Sequence, residues 1–124
     1  MARWIPQDVH SVMDYGHSLL VASGARLTTD PRARLASLVL GSAGVGVAAI
    51  TDYRLSAAKL IPIETHEAID HLWGLTAIAA AFVLGYWKTA PRVALLHVGA
   101  GVGNIIASLV TDYRAWVGRG RGRR

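Results

Sequence analysis

The chain contains the same short pattern twice, and this repetition limits its possible folds more than any other feature. Residues 5–14 read IPQDVHSVMD and residues 61–70 read IPIETHEAID, so both fit I-P-x-[DE]-x-H-x3-D. A second pattern, Thr-Asp-Tyr-Arg, occurs at 51–54 and again at 111–114. Because both patterns keep their order, we interpret the chain as two tandem repeats, residues 5–54 and 61–114.

Each repeat contains two long apolar stretches. The four stretches cover residues 9–25, 35–51, 68–87 and 93–111. Each has roughly 17–20 residues, near the length with which a helix crosses ~30 Å of hydrocarbon. Hydrophobic residues make up 52% of the chain, more than one small core can bury. The sequence predicts an all-α fold, an integral membrane four-helix bundle made of two tandem helical hairpins, with a four-span membrane domain over residues 1–117.

The positive charges predict the orientation of this bundle and its lipid contacts. Four of the thirteen Lys and Arg residues lie in the last six positions. We interpret residues 118–124 as a basic Gly/Arg tail that contacts anionic lipid headgroups; no aromatic residues separate its arginines, which argues against nucleic acid. Two hairpins place both termini on one face, with eight Lys and Arg against five on the other. The positive-inside rule then predicts a multi-pass protein of the cell inner membrane with cytoplasmic termini.

Ionisable residues inside apolar stretches are costly and are therefore candidates for function. In each repeat a histidine precedes an aspartate by four residues, which places both on one helix face. The hairpins also bring the aspartate of each Thr-Asp-Tyr pattern to the same end of the bundle. The chain has no cysteine, which excludes thiolate ligands. The candidate ligands are His10, Asp14, Asp52, His66, Asp70 and Asp112.

Imidazole and carboxylate groups in this number favour a metal site. They suit Fe, Mn or Zn, and di-iron and di-manganese bundles use two histidines and four carboxylates from four helices. The sequence therefore predicts a site for one or two divalent metal ions at one membrane face. It names no substrate and does not decide whether the protein is an enzyme.

Two other functions remain open at this point. In the first, His10 bonds Asp52 and His66 bonds Asp112, so that polar pairs tie each hairpin together. The protein would then be a structural or accessory membrane subunit within a homo-oligomer or a larger membrane complex. In the second, the same residues carry protons in a small proton-coupled carrier.

Two further patterns concern packing. Tyr53 and Tyr113 follow the second apolar stretch of each repeat, where aromatic side chains commonly anchor a protein at the membrane surface. Gly99 and Gly103 are four residues apart, a spacing that lets helix backbones approach closely. We expect interfacial tyrosines and a helix contact at these two glycines.

Taken together, the paired I-P…H…D starts, the Thr-Asp-Tyr motif and the four short spans resemble SPW-repeat-like small bacterial membrane proteins. The resemblance covers roughly residues 4–115. The Ser-Pro-Trp triplet that names the family is absent, and Ala22-Ser23-Gly24 and Gly85-Tyr86-Trp87 stand near the corresponding positions. The resemblance implies an integral membrane four-helix protein and no established activity.

Overall fold

The computed structural model of the protein describes residues 3–113, 115–116 and 119–120. The helices within them are α1 (Gln7–Ser23), α2 (Pro31–Ile50), α3 (Ile63–Val83), α4 (Tyr86–Thr89) and α5 (Pro91–Val110), with a 3-10 turn at Gly24–Arg26. The two-residue strands are β1 (Ile5–Pro6), β2 (Thr111–Asp112), β3 (Ala115–Trp116) and β4 (Arg119–Gly120). Arg114 and most of the predicted 118–124 tail lie outside the described residues.

The long helices begin at residues that favour helix starts. Pro31 and Pro91 occupy the first turn of α2 and α5, where the missing proline N–H would have no partner in any case. Asp30 caps α2, because its carboxylate accepts hydrogen bonds from the backbone N–H of Arg32 and Ala33. Helices α1 and α3 each follow a proline and carry an acidic residue in the first turn.

Two helical hairpins make up the bundle. Helix α1 packs mainly against α2, and α3 packs mainly against α5. A methyl group on Gly41 would lie 2.5 Å from Ala22 Cβ, and one on Gly101 would lie 2.5 Å from the Gly74 carbonyl oxygen. The helices therefore meet where these glycines have no side chain. The prediction of a helix contact at Gly99 and Gly103 was wrong for Gly99, since no atom beyond its own stretch of helix lies within 4 Å of its methyl position. A methyl group on Gly103 would lie 3.6 Å from His17 Nε2 of α1, in ordinary contact with a side chain.

The predicted four-span membrane bundle was wrong. Of the described helices, α2 and α5 are long and apolar enough to cross a membrane, whereas α1 and α3 are not. Helix α1 has only 17 residues and includes two aspartates and two histidines. Helix α3 has three acidic residues among its first eight. Because a span needs ~20 predominantly apolar residues, the ionisable residues of α1 and α3 leave their apolar stretches too short.

Short extended segments join the two halves at one end of the bundle. Strand β1 pairs in parallel with β2, with Ile5 opposite Thr111. Thr51 forms an isolated parallel bridge with Ile61. The start of each half therefore lies beside the end of the other half. We call this the strand end of the bundle, and the end with residues 24–30 and 84–90 the loop end.

Polar side chains lie inside the bundle while many leucines face outward. The buried residues include several alanines, three histidines and three aspartates of the helices, beside serine and threonine. Leu19, Leu38, Leu72 and Leu95, one from each long helix, are all at least 50% exposed. The interior of the strand end is thus suited to polar chemistry, and the outer faces of the helices are suited to an apolar environment.

Candidate metal centre

At the strand end, α1 and α3 bring two histidines and two aspartates together in the interior. His10 and Asp14 lie four residues apart on α1, and His66 and Asp70 do so on α3. One donor atom from each residue lies within 4.8 Å of the other three donor atoms. None of the four residues is more than 6% exposed. We call these four residues the His/Asp group.

The side chains of the His/Asp group form a closed ring of contacts. His10 Nε2 lies 2.9 Å from Asp70 Oδ2 and 3.1 Å from Asp14 Oδ1. His66 Nε2 lies 2.9 Å from Asp14 Oδ2 and 3.1 Å from Asp70 Oδ1. Each imidazole thus faces both carboxylates through its Nε2 atom, and the contacts join α1 to α3.

Two threonines fix the orientation of the histidine rings. Thr111 Oγ1 lies 2.7 Å from His10 Nδ1, and Thr51 Oγ1 lies 2.6 Å from His66 Nδ1. Each threonine hydroxyl donates its proton to the carbonyl oxygen four residues before it. The threonine oxygen must therefore accept from the histidine, so Nδ1 carries a proton in both rings. Nε2 is the nitrogen that each ring presents to the carboxylates.

Two buried tyrosines complete the surroundings of the carboxylates. The Tyr53 hydroxyl donates a hydrogen bond to Asp14 Oδ2 at 2.9 Å. The Tyr113 hydroxyl donates a hydrogen bond to Asp70 Oδ2 at 2.6 Å and accepts one from the Ser108 hydroxyl. Burial and the nearby carboxylates raise the pKa of both tyrosines, so they remain neutral donors. Because neither tyrosine is more than 2% exposed, the prediction that they anchor the protein at a membrane surface was wrong.

The contacts within the group change the pKa values of its histidines and of Asp70. Burial on its own would lower the pKa of His10 and His66, but hydrogen bonds and charge interactions with Asp14 and Asp70 raise each to about 9. Burial would raise the pKa of Asp70, yet its contacts with both histidines lower it. At neutral pH the raised pKa values favour the imidazolium form of His10 and His66, and the lowered pKa of Asp70 favours its carboxylate form.

Asp52 and Asp112, the other two predicted ligands, are not among these four residues. The backbone is extended at Thr51 and at Thr111, and successive side chains of an extended segment point to opposite sides. Thr51 and Tyr53 are fully buried, so Asp52 between them points away from the histidines, and it is only partly buried. Asp112, in the matching position, lines a separate cavity of about 260 Å³.

The sequence interpretation missed four residues that contact the His/Asp group. Thr51, Thr111, Tyr53 and Tyr113 bond directly to its histidines and aspartates. The sequence did indicate these residues, because the repeated Thr-Asp-Tyr pattern contains a threonine and a tyrosine two residues apart. An extended segment would place those two side chains on one side.

No protein-family model, no curated protein and no solved structure matches this chain. The resemblance to SPW-repeat-like proteins therefore stays a prediction.

Proposed function

We propose that the protein binds one divalent transition-metal ion in the His/Asp group. The ligands are Nε2 of His10 and His66 and one carboxylate oxygen each of Asp14 and Asp70. The observation that carries the proposal is the convergence of four buried donor atoms within 4.8 Å of one another. Two nitrogen and two oxygen donors suit Zn²⁺, Fe²⁺ or Mn²⁺, and four donors are the number that one tetrahedral ion takes.

The distances support this proposal. In a tetrahedral site with metal–ligand bonds of about 2.0–2.1 Å, neighbouring donor atoms are about 3.3 Å apart. Each histidine Nε2 lies 2.9 to 3.1 Å from one oxygen of each aspartate, and the two histidines face different oxygens of the same carboxylate. One donor atom from each of the four residues lies within 4.8 Å of the others, so the side chains would need to shift by about an ångström to surround an ion.

The neighbours of the ligands also support it. Metal-binding histidines usually donate their other ring N–H to a fixed acceptor, which sets the tautomer and the ring orientation. Thr51 and Thr111 provide such acceptors for His66 and His10. Tyr53 and Tyr113 hold the carboxylates through their hydroxyl groups. The ligands are therefore positioned before any ion arrives.

A purely structural role is the competing interpretation. The ring of hydrogen bonds is closed without an ion, and it ties α1 to α3 across the two hairpins. In that case the group would stabilise the fold and would bind no metal. The small proton-coupled carrier predicted as a further alternative would need no tightly bound metal either.

Metal titration of the purified, chelator-treated protein decides between these functions. We expect one Zn²⁺ or Mn²⁺ ion per chain by calorimetry and elemental analysis. The variant Asp14→Asn/Asp70→Asn keeps the side-chain size but should bind no ion, because two of the four ligands lose their charge. The control Asp52→Asn/Asp112→Asn should bind as the unchanged protein does. A folded, unchanged protein that binds no ion would rule out the metal function.

We propose further that α2 and α5 cross the cell inner membrane, with the strand end on the cytoplasmic side. Support comes from the length and apolar composition of these two helices and from their exposed leucines. The absence of cysteine allows labelling at single introduced sites. With a maleimide that does not cross membranes, Thr29→Cys should react in intact cells and Ser56→Cys only after lysis. Recovery of the protein in the fraction released by alkaline carbonate would contradict this placement.

A further inference from the structure

A small cavity adjoins the His/Asp group on one side. Its volume is about 20 Å³, which is enough for one water molecule. The carboxylates of the group and the His66 ring form one wall of it. Other lining residues are Ser18 of α1, Gly44 and Val47 of α2, Trp73 of α3 and Asn104 of α5.

The residues that line the cavity differ between the two halves of the chain. In the repeat alignment Gly44 corresponds to Asn104, and Ser18 corresponds to Gly74. Asn104 donates a hydrogen bond to the Asp70 carbonyl oxygen at 3.0 Å. A methyl group on Gly44 would collide with the Ser18 side chain, so Ser18 occupies the space beside Gly44. The ligands are the same in both halves, whereas these cavity-lining residues are not.

Ser18 contributes a hydroxyl to the cavity wall. Ser18 is 3% exposed, and no hydrogen bond joins its hydroxyl to any residue that the structure describes. Trp73 Nε1 donates to the Leu40 carbonyl oxygen at 2.9 Å, and Asn104 Nδ2 donates to the Asp70 carbonyl oxygen, so these two donors are already bonded. A buried hydroxyl without a partner is costly, and a water molecule in the cavity would satisfy it.

We propose that the bound metal ion carries one additional, exchangeable ligand in this cavity and that Ser18 hydrogen-bonds to it. This inference rests on the proposed metal function, and it makes the ion five-coordinate, with the four protein ligands and this fifth one. The ligand is water or hydroxide, and fluoride is small enough to replace it, whereas larger ligands do not fit. An open coordination position distinguishes metal sites that perform chemistry from closed structural sites, because an ion lowers the pKa of its bound water.

Mn²⁺ tests this inference directly. A water molecule that is bound to Mn²⁺ and exchanges with bulk water accelerates the proton relaxation of the solvent. We expect this acceleration for the Mn²⁺-loaded protein and its loss when fluoride is added. If Mn²⁺ binds with one ion per chain but the relaxation shows no coordinated water, the inference is wrong while the metal function stands. If no ion binds, the metal function itself has failed.

A filled cavity tests the position of the water. In Val47→Leu the larger side chain occupies the cavity, so Mn²⁺ should still bind while the relaxation effect is lost. Val39→Leu makes the same change on α2 at a side chain that is 56% exposed, and it should leave the relaxation unchanged. If Val47→Leu fails to fold, Ser18→Thr fills the cavity from α1. A relaxation effect that survives cavity filling would place the water elsewhere and contradict the inference.

Discussion

The orientation of each histidine in the His/Asp group depends on one threonine hydroxyl. That hydroxyl gives its proton to a helix carbonyl and so can only accept from the histidine Nδ1. The helix end thereby determines the tautomer of a residue on another helix. This makes Thr51 and Thr111 more important to the site than their uncharged side chains indicate.

Replacing either threonine by valine should weaken both the fold and the metal site. Thr51→Val and Thr111→Val keep the shape but leave a buried imidazole N–H without an acceptor, which costs about 1–3 kcal/mol. Loss of such a partner typically reduces metal affinity about 10–100-fold. Urea denaturation and zinc titration measure the two effects. Thr76→Val is the control, because the Thr76 hydroxyl bonds in the same way to a helix carbonyl at an exposed position.

Metal binding at neutral pH should release two protons for each ion. Both histidines have a pKa of about 9 in the metal-free protein, and an ion at Nε2 displaces the proton of each ring. Affinity should then rise about 100-fold per pH unit below that value. Calorimetry in buffers of different ionisation enthalpy counts the protons. Release of fewer than two would contradict either the raised pKa of one histidine or its role as a ligand.

Four of the six predicted ligands meet in the structure because their spacing follows helix geometry. The i, i+4 spacing of His10 and Asp14 holds wherever α1 packs, so it was readable from sequence. Asp52 and Asp112 were selected for their charge, although they lie beyond the helix ends. There the backbone is extended, and successive side chains of an extended segment point to opposite sides. The threonine before each aspartate and the tyrosine after it therefore point inward, and the aspartate does not.

At the scale of elements, the sequence predicted the number of long helices but not their environment. The apolar stretches coincide with the four long helices, which begin earlier because prolines and Asp30 set the helix starts. The first turns of α1 and α3 contain ionisable residues that face inward. An average hydropathy over the whole stretch does not show where in the helix these residues lie or which way they face. Composition therefore overestimated the number of membrane spans.

The helix contacts also differ from the predicted ones. Gly99 and Gly103 have the spacing of a close helix contact, yet Gly41 and Gly101 lie at the contacts that the structure forms. Spacing alone does not show which face of a helix meets its neighbour.

Alanine substitutions at the glycines should separate packing from helix propensity. Gly41→Ala and Gly101→Ala place a methyl group 2.5 Å from a neighbouring atom, and overpacking of this kind costs about 1–3 kcal/mol. At Gly46 and Gly99 no described atom lies within 4 Å. Alanine there should stabilise the helix by up to about 1 kcal/mol. Thermal denaturation of the four variants compares the two pairs, and equal effects would contradict the described contacts.

At the scale of the whole molecule, the metal-free protein should lose stability as the pH rises. The pKa of each histidine is raised from 6.5 to about 9, so its stabilising contribution is complete below pH 6.5 and is lost by about pH 9. The pKa of Asp70 is lowered, so its contribution is lost in acid, below its ordinary value of 3.8. Denaturation midpoints between pH 5 and pH 9 measure the alkaline loss.

A bound metal ion should prevent the loss of protein stability at alkaline pH. The ion holds both carboxylates and needs deprotonated histidines, so the loaded protein should keep its stability as the pH rises to about 9. The Asp14→Asn/Asp70→Asn variant lacks the carboxylates that raise the histidine pKa values. Its stability should vary much less over the same pH range, with or without zinc. An unchanged alkaline loss in that variant would show that other groups cause it.

Each half of the chain supplies one histidine and one aspartate to the His/Asp group, and each half begins beside the end of the other. A single hairpin therefore carries half of a site, and two identical hairpins related by a twofold axis would complete it. Fusion of two such ancestral copies into one gene would preserve the shared ligands. It would also allow single positions to differ between the halves, as Gly44 and Asn104 do, so that one side of a symmetric centre could become different from the other.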